Sequence, residues 1–117
     1  MHRIGYMLPE GFQVMALATQ AVFELANLMV EKPFYEVETY AMSGTARASA
    51  GLALQAKPLT VHSRADTWLV AGNLTPRDFA PAPELIRLLS KVAVSARRVA
   101  GLCTGAFLLG DAGLKVV

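Results

Sequence analysis

The spacing of apolar positions changes several times along the chain, and each change marks an element. Residues 4–8 are a short apolar run closed by Pro9-Glu10-Gly11, the pattern of a buried strand stopped by a turn. From residue 12 to about residue 30, Val14, Leu17, Ala18, Ala21, Val22, Leu25, Leu28 and Met29 recur at threes and fours. That spacing paints one face of a helix, which ends before Pro33. Residues 34–42 set Tyr35, Val37, Thr39 and Tyr40 among acidic side chains, a half-buried strand broken by Ser43-Gly44. Residues 45–63 are rich in Ala, Gly, Ser and Thr, and a short hairpin pairing 52–54 with 59–61 is expected there.

An apolar strand follows over residues 66–73, ending in the turn Gly72-Asn73, and residues 76–83 form a loop with three prolines. Pro83 stands near the first position of the next helix, where its missing N–H costs nothing. Leu85, Ile86, Leu88, Leu89 and Val92 give that helix its apolar face. Residues 97–102 read as a further buried strand, with Arg97-Arg98 as its solvated edge, running without a loop into a helix over 103–109. Strands alternating with helices imply βαβ units and right-handed crossovers. The expected fold class is α/β, a mainly parallel sheet sandwiched by helices. Three helices do not cover both faces of such a sheet, and its last strand has no following partner. The sequence therefore reads as an incomplete domain, a fragment in preference to a domain covered by a second copy.

A length of 117 residues allows one domain, and 54% apolar against 17% charged residues excludes disorder. A formal charge of +2 is too small to imply a nucleic-acid or membrane partner. No apolar run reaches the roughly 18 residues of a membrane span, and residues 4–8 are too short for a signal-peptide core. Cys103, the single cysteine, excludes an intramolecular disulfide framework and a multi-cysteine metal site, and a cytoplasmic location is expected by default. The two histidines and scattered carboxylates lack metal-ligand spacing, and neither glycine turn matches a phosphate-binding loop, so no metal or cofactor is expected.

Cys103 stands between a buried strand and a helix, followed by Thr104 and Gly105. A tight turn there pushes its middle side chain into the crevice at the carboxyl ends of the strands, as in a nucleophile elbow. The helix N-terminus favours the thiolate, and the N–H groups of the turn, with a second donor from Gly72-Asn73, can hold an oxyanion. The competing assignment is an inert, buried small side chain. No base is evident. His2 at the terminus and His62 in the hairpin region read as surface residues. Glu10, Glu24 and Asp66 read as solvated, with Glu10 nearest the crevice.

Phe12-Gln13 behind Pro9-Glu10-Gly11, then Val70-Ala71-Gly72-Asn73, then the run from Val99 through Cys103-Thr104-Gly105-Ala106-Phe107-Leu108-Leu109 to Ala112-Gly113-Leu114 carry a resemblance. Together they resemble the amino-terminal domain of AraC-type transcriptional regulators in the ThiJ/PfpI, class I glutamine amidotransferase-like, superfamily, over essentially the whole chain. The resemblance implies a flavodoxin-like domain, commonly a homodimer, that reaches DNA only through a helix-turn-helix domain outside this chain. It makes Cys103 the elbow cysteine, and Gly72 and Thr104 the positions whose N–H groups form the oxyanion pocket of enzymatic relatives. Those relatives place a carboxylate on the first helix, where this sequence has Ala16, and some use a histidine from beyond the elbow helix. The implied function over residues 1–117 is a non-catalytic sensory and dimerisation domain. Its crevice, formed by Cys103, Thr104, Gly72, Asn73 and Glu10, binds a small effector or keeps an inherited shape. The alternatives are a cysteine-dependent hydratase, glyoxalase-like or amidase-like enzyme, and a thiol redox sensor.

Overall fold

The computed structural model describes residues 1–73 and 82–114. At the centre lies β1 (His2–Met7), with β2 (Tyr35–Ala41) parallel on one side and β6 (Thr67–Val70) parallel on the other. The register runs from His2↔Tyr35 to Met7↔Tyr40 and from Ile4↔Thr67 to Met7↔Val70. The two-residue β5 (Lys57–Pro58) and β7 (Arg98–Gly101) flank them, giving a five-stranded parallel sheet in the order β5-β2-β1-β6-β7. The α/β class expected from the alternation of elements is the one observed, in the flavodoxin-like form that the resemblance implies. The chain goes from β1 to one side and later crosses to the other, so strand order reverses between β1 and β6. At such a reversal the loops at the carboxyl ends part and leave a crevice.

Side chains alternate across the sheet. On one face Met7, Tyr40, Trp68 and Val70 pack under α2 (Pro83–Ala93), which buries Leu85, Leu88, Leu89 and Val92, and under Leu108 and Leu109 of α3 (Gly105–Asp111). Pro83 opens α2, with Glu84 in its first turn and Lys91 in its last, each charge suited to the nearer end of the helix dipole. On the opposite face Ile4, Tyr6, Leu8, Ala41 and Ala71 pack with Phe12, Ala46 and Ala48. Gly5 makes room for the indole: a Cβ there would stand 2.7 Å from the Trp68 ring.

The continuous helix expected over 12–30 is not formed. Phe12 is fully buried and bridges to Ala48 and Asn73, residues 14–19 make a 3₁₀ helix (Val14–Thr19), and α1 is Gln20–Met29. The 3₁₀ segment is tied to the sheet by a hydrogen bond between the Tyr6 and Thr19 hydroxyls. Neither helical segment buries a residue, and Met15, Leu28 and Met29 are 71%, 80% and 86% exposed. Polar Asn27 anchors α1 instead: its amide donates to the Tyr35 carbonyl and accepts from the Phe34 and Tyr35 N–H groups at 2.8–2.9 Å. Only Phe23 of α1 packs, partly, against the core.

The hairpin also differs from expectation. β3 (Thr45–Arg47) pairs antiparallel with β4 (Ala53–Gln55), and residues 59–61 take no part. Leu59 is buried and donates its N–H to the Ala41 carbonyl, so the chain has already rejoined the main sheet by then. His2, expected to be a surface residue, belongs to β1, bonds Thr67 Oγ1 through Nε2 at 2.9 Å and stacks on Phe34. Arg97 and Arg98 are exposed at the start of edge strand β7, as expected. Residues 76–81, most of the expected proline loop over 76–83, lie outside the described residues. Among the described residues no helix is long and apolar enough to cross a membrane.

Candidate functional site

Three loops meet at the carboxyl end of the sheet: residues 8–13 after β1, 71–73 after β6 and 102–104 after β7. Backbone bonds knit the first two, because the Gln13 N–H donates to the Gly72 carbonyl at 3.0 Å and Phe12 bridges to Asn73. The Leu102 N–H donates to the Val70 carbonyl at 2.8 Å and brings in the third. Burial of Phe12 beneath this junction explains why the first loop turns inward before any helix begins.

Glycine makes the junction possible. A Cβ on Gly72 would lie 2.2 Å from Thr104 Oγ1 and 2.3 Å from the Gly105 nitrogen, and one on Gly105 would lie 1.9 Å from the Val70 carbonyl oxygen. Apart from the Thr104 hydroxyl these are approaches to backbone atoms that no larger residue permits. Cys103 takes up the strain of the turn. Its φ of 52° is, among the described residues, the one positive φ outside glycine. A left-handed conformation at a residue with a Cβ costs roughly 1–2 kcal/mol. The turn leaves Cys103 exposed, so it is not the inert buried residue of the competing assignment.

Of the five residues expected to line the crevice, the structure brings Gly72, Asn73, Thr104 and Cys103 together. Thr104 serves the scaffold with its side chain, donating from Oγ1 to the Asn73 carbonyl at 2.6 Å and stapling the elbow to the loop after β6. Its backbone N–H and that of Gly72 have no acceptor among the described residues. The Asn73 Oδ1 is buried and likewise has no partner among the described residues. Glu10 is exposed, as expected, and its carboxylate lies 3.8 Å from the Arg47 guanidinium on the hairpin. Ala16 sits partly buried in the 3₁₀ helix against the same apolar cluster as Leu102.

Phe12 and Gly11 are the residues of this junction that periodicity missed. Gly11, at φ +78°, is close enough to Asn73 that a Cβ there would contact its Oδ1 at 3.8 Å. The cue was Pro9-Glu10-Gly11 itself, since a glycine that needs positive φ ends a strand and delays the helix. The other titratable candidates stand apart. His62 is exposed in a turn, and Asp66, half-buried, accepts from the Arg3 N–H at 2.7 Å, which holds its carboxyl below the usual range. Among the described residues no group of three or more His, Cys, Asp or Glu could hold a metal ion.

No family model matches the chain. It is 30% identical over 115 residues to the HTH-type transcriptional regulator GlxA of Rhizobium meliloti (strain 1021), covering 96% of this chain and 36% of that protein. It is 32% identical over 119 residues to the "Uncharacterized protein in cpoL 5'region" of Streptomyces lividans, covering 97% of this chain and 81% of that one. Among solved structures, an AraC family transcriptional regulator from Pseudomonas putida superimposes with a TM-score of 0.77 at 24% identity, over 97% of this chain and 62% of that one. A ThiJ/PfpI family protein from Pseudomonas syringae does so with a TM-score of 0.73 at 20% identity, over 97% of this chain and 46% of that one. The chain thus spans about a third of the named regulator and half to three-fifths of these solved relatives.

Proposed function

We propose that this chain, similar to an HTH-type transcriptional regulator and sharing its fold with AraC family and ThiJ/PfpI family proteins, is a non-catalytic sensory and dimerisation domain of an AraC-type regulator. The observation that carries this is Ala16. A methyl group at the position where enzymatic relatives keep a carboxylate can neither take a proton from Cys103 nor return one. Glu10 is a poor substitute, being exposed and drawn toward Arg47. In this role the crevice is a binding site. The Gly72 and Thr104 N–H groups offer donors, the Asn73 Oδ1 an acceptor, and Cys103 a polarisable wall for a small effector. The outward stripe of α1 meets a second copy, and DNA is engaged by a domain outside this chain, in the cytoplasm. Purified chain offered an α-ketoaldehyde or a simple amide should show no turnover that depends on Cys103. Turnover abolished by Cys103→Ala would replace this proposal with the enzyme alternative.

Exposure of Cys103 favours a second possibility, a thiol redox sensor. Treatment with a modest excess of peroxide followed by mass spectrometry decides it. One added oxygen on Cys103 supports sensing, and an unmodified thiol removes it.

A further inference from the structure

Beside β2 the sheet has a notch. The His2 N–H donates to the Phe34 carbonyl and the Leu8 N–H to the Tyr40 carbonyl, so the even-numbered residues of β2 turn their peptide groups toward β1. The odd-numbered residues turn theirs to the outer edge. At one end of that edge the Asn27 side chain satisfies both peptide groups of Tyr35. At the other end the Ala41 carbonyl accepts from Leu59, and β5 pairs only with Tyr40 and Ala41. Between them Val37 faces outward, and among the described residues neither its N–H nor its C=O has a partner.

The notch opens into a groove of about 640 Å³ lined by Val37, Thr39 and Lys57 together with Gln20 and Glu24 of α1. That volume falls within the roughly 300–1,000 Å³ of ordinary ligand sites. Lys57 is already matched to Glu38 at 2.7 Å, whereas Glu24 has no cationic partner among the described residues. A second copy of this edge is a poor occupant. Antiparallel self-pairing centred on Val37 sets Glu36 against the copy's Glu38, and like charges directly opposite are destabilising.

We propose that the notch on the outer edge of β2 is a docking site for a short extended peptide segment carrying a basic side chain. Its backbone joins the sheet at Val37 and its cation lies against Glu24. Backbone bonds supply the adhesion in this mode and the charge supplies the choice of partner.

The test uses the full chain, labelled with ¹⁵N, and an acetylated, amidated pentapeptide of alternating threonine and arginine as the probe. Amide exchange at Val37 should slow on adding the peptide, while exchange at Ile4 and Trp68, in the sheet interior, reports that the fold persists. The same peptide with glutamate in place of arginine should bind more weakly. Exposed Glu24, changed in Glu24→Gln, should cost the arginine peptide about threefold in affinity, the effect of one exposed ion pair. Unchanged exchange at Val37 overturns the proposal, as does equal binding of the two peptides or indifference to Glu24→Gln. Protection of Val37 by raising protein concentration alone also overturns it, by giving the edge to a second copy.

Discussion

Helices α1 and α2 are both written with an apolar stripe, yet they use it in opposite directions. α2 turns Leu85, Leu88, Leu89 and Val92 onto the sheet and keeps Glu84, Arg87 and Lys91 off the core. α1 holds its sheet with Asn27 and Phe23 and turns Val22, Leu25, Leu28 and Met29 outward. Periodicity reveals that a stripe exists; the anchoring contacts decide which way it faces. The proposed contact with a second copy falls on that outward stripe.

The largest effect is expected at the elbow, against which both helices can be measured. Gly105→Ala places a methyl 1.9 Å from the Val70 carbonyl oxygen, so the β7–α3 turn must move. We expect a loss of about 3 kcal/mol or more in urea unfolding, the upper end for overpacking. Unfolding as in the unsubstituted chain would mean that the elbow is not held tightly against β6.

Next comes the pair that isolates the two helices. Leu89→Ala, at a fully buried site, should cost about 2–5 kcal/mol. Leu28→Ala, at a site 80% exposed, should stay within about 0.5 kcal/mol in the monomer and weaken self-association in sedimentation. Equal losses would show that the α1 stripe is covered by its own chain.

Alkaline pH reaches the α2 face of the sheet through Tyr40. Burial, reinforced by the neighbouring Glu38 carboxylate, pushes the Tyr40 phenol up to about 12. Below about pH 10, the ordinary value, folded and unfolded chains both hold the proton and stability is complete. Between about 10 and about 12 the unfolded chain releases it first, so stability falls as pH rises. Urea midpoints should drop across that window, and less steeply in Tyr40→Phe. A profile that Tyr40→Phe leaves unaltered would detach the phenol from the alkaline loss.

The smallest effect is a gain. Cys103→Gly removes the penalty of a Cβ at φ 52° and should stabilise the chain by up to about 1 kcal/mol, offset in part by the freer unfolded chain. A clear destabilisation would mean that the thiol contributes packing of its own.

The strands at β1, β2, β6 and β7, helix α2 and the strand-to-helix step at Cys103 were legible because local rules govern them. Apolar runs end at glycine and proline, and a prolyl N-terminus opens α2. The hairpin partner of β4 was not legible, since 45–47 and 59–61 are equally plausible neighbours until Leu59 is drawn into the core. Nor was the inward course of Phe12, which mimics the first residue of a helix in spacing alone. Around the crevice, Gly72, Asn73, Thr104 and Cys103 were all named by the turns that contain them. The contact of the Glu10 carboxylate with the Arg47 guanidinium and the Thr104 bond to the Asn73 carbonyl join residues 37 and 31 positions apart, and no local pattern encodes such a meeting.

By itself, then, the sequence determined the alternation of the main strands with helices, the parallel sheet that follows from it, and the small residues that let an elbow form, because these depend on spacing and backbone freedom within a few residues. Only the tertiary structure decided that Cys103 is exposed, that α1 presents its apolar side outward and that, among the described residues, the edge of β2 is left open at Val37. Those outcomes depend on which distant groups compete for the same surface.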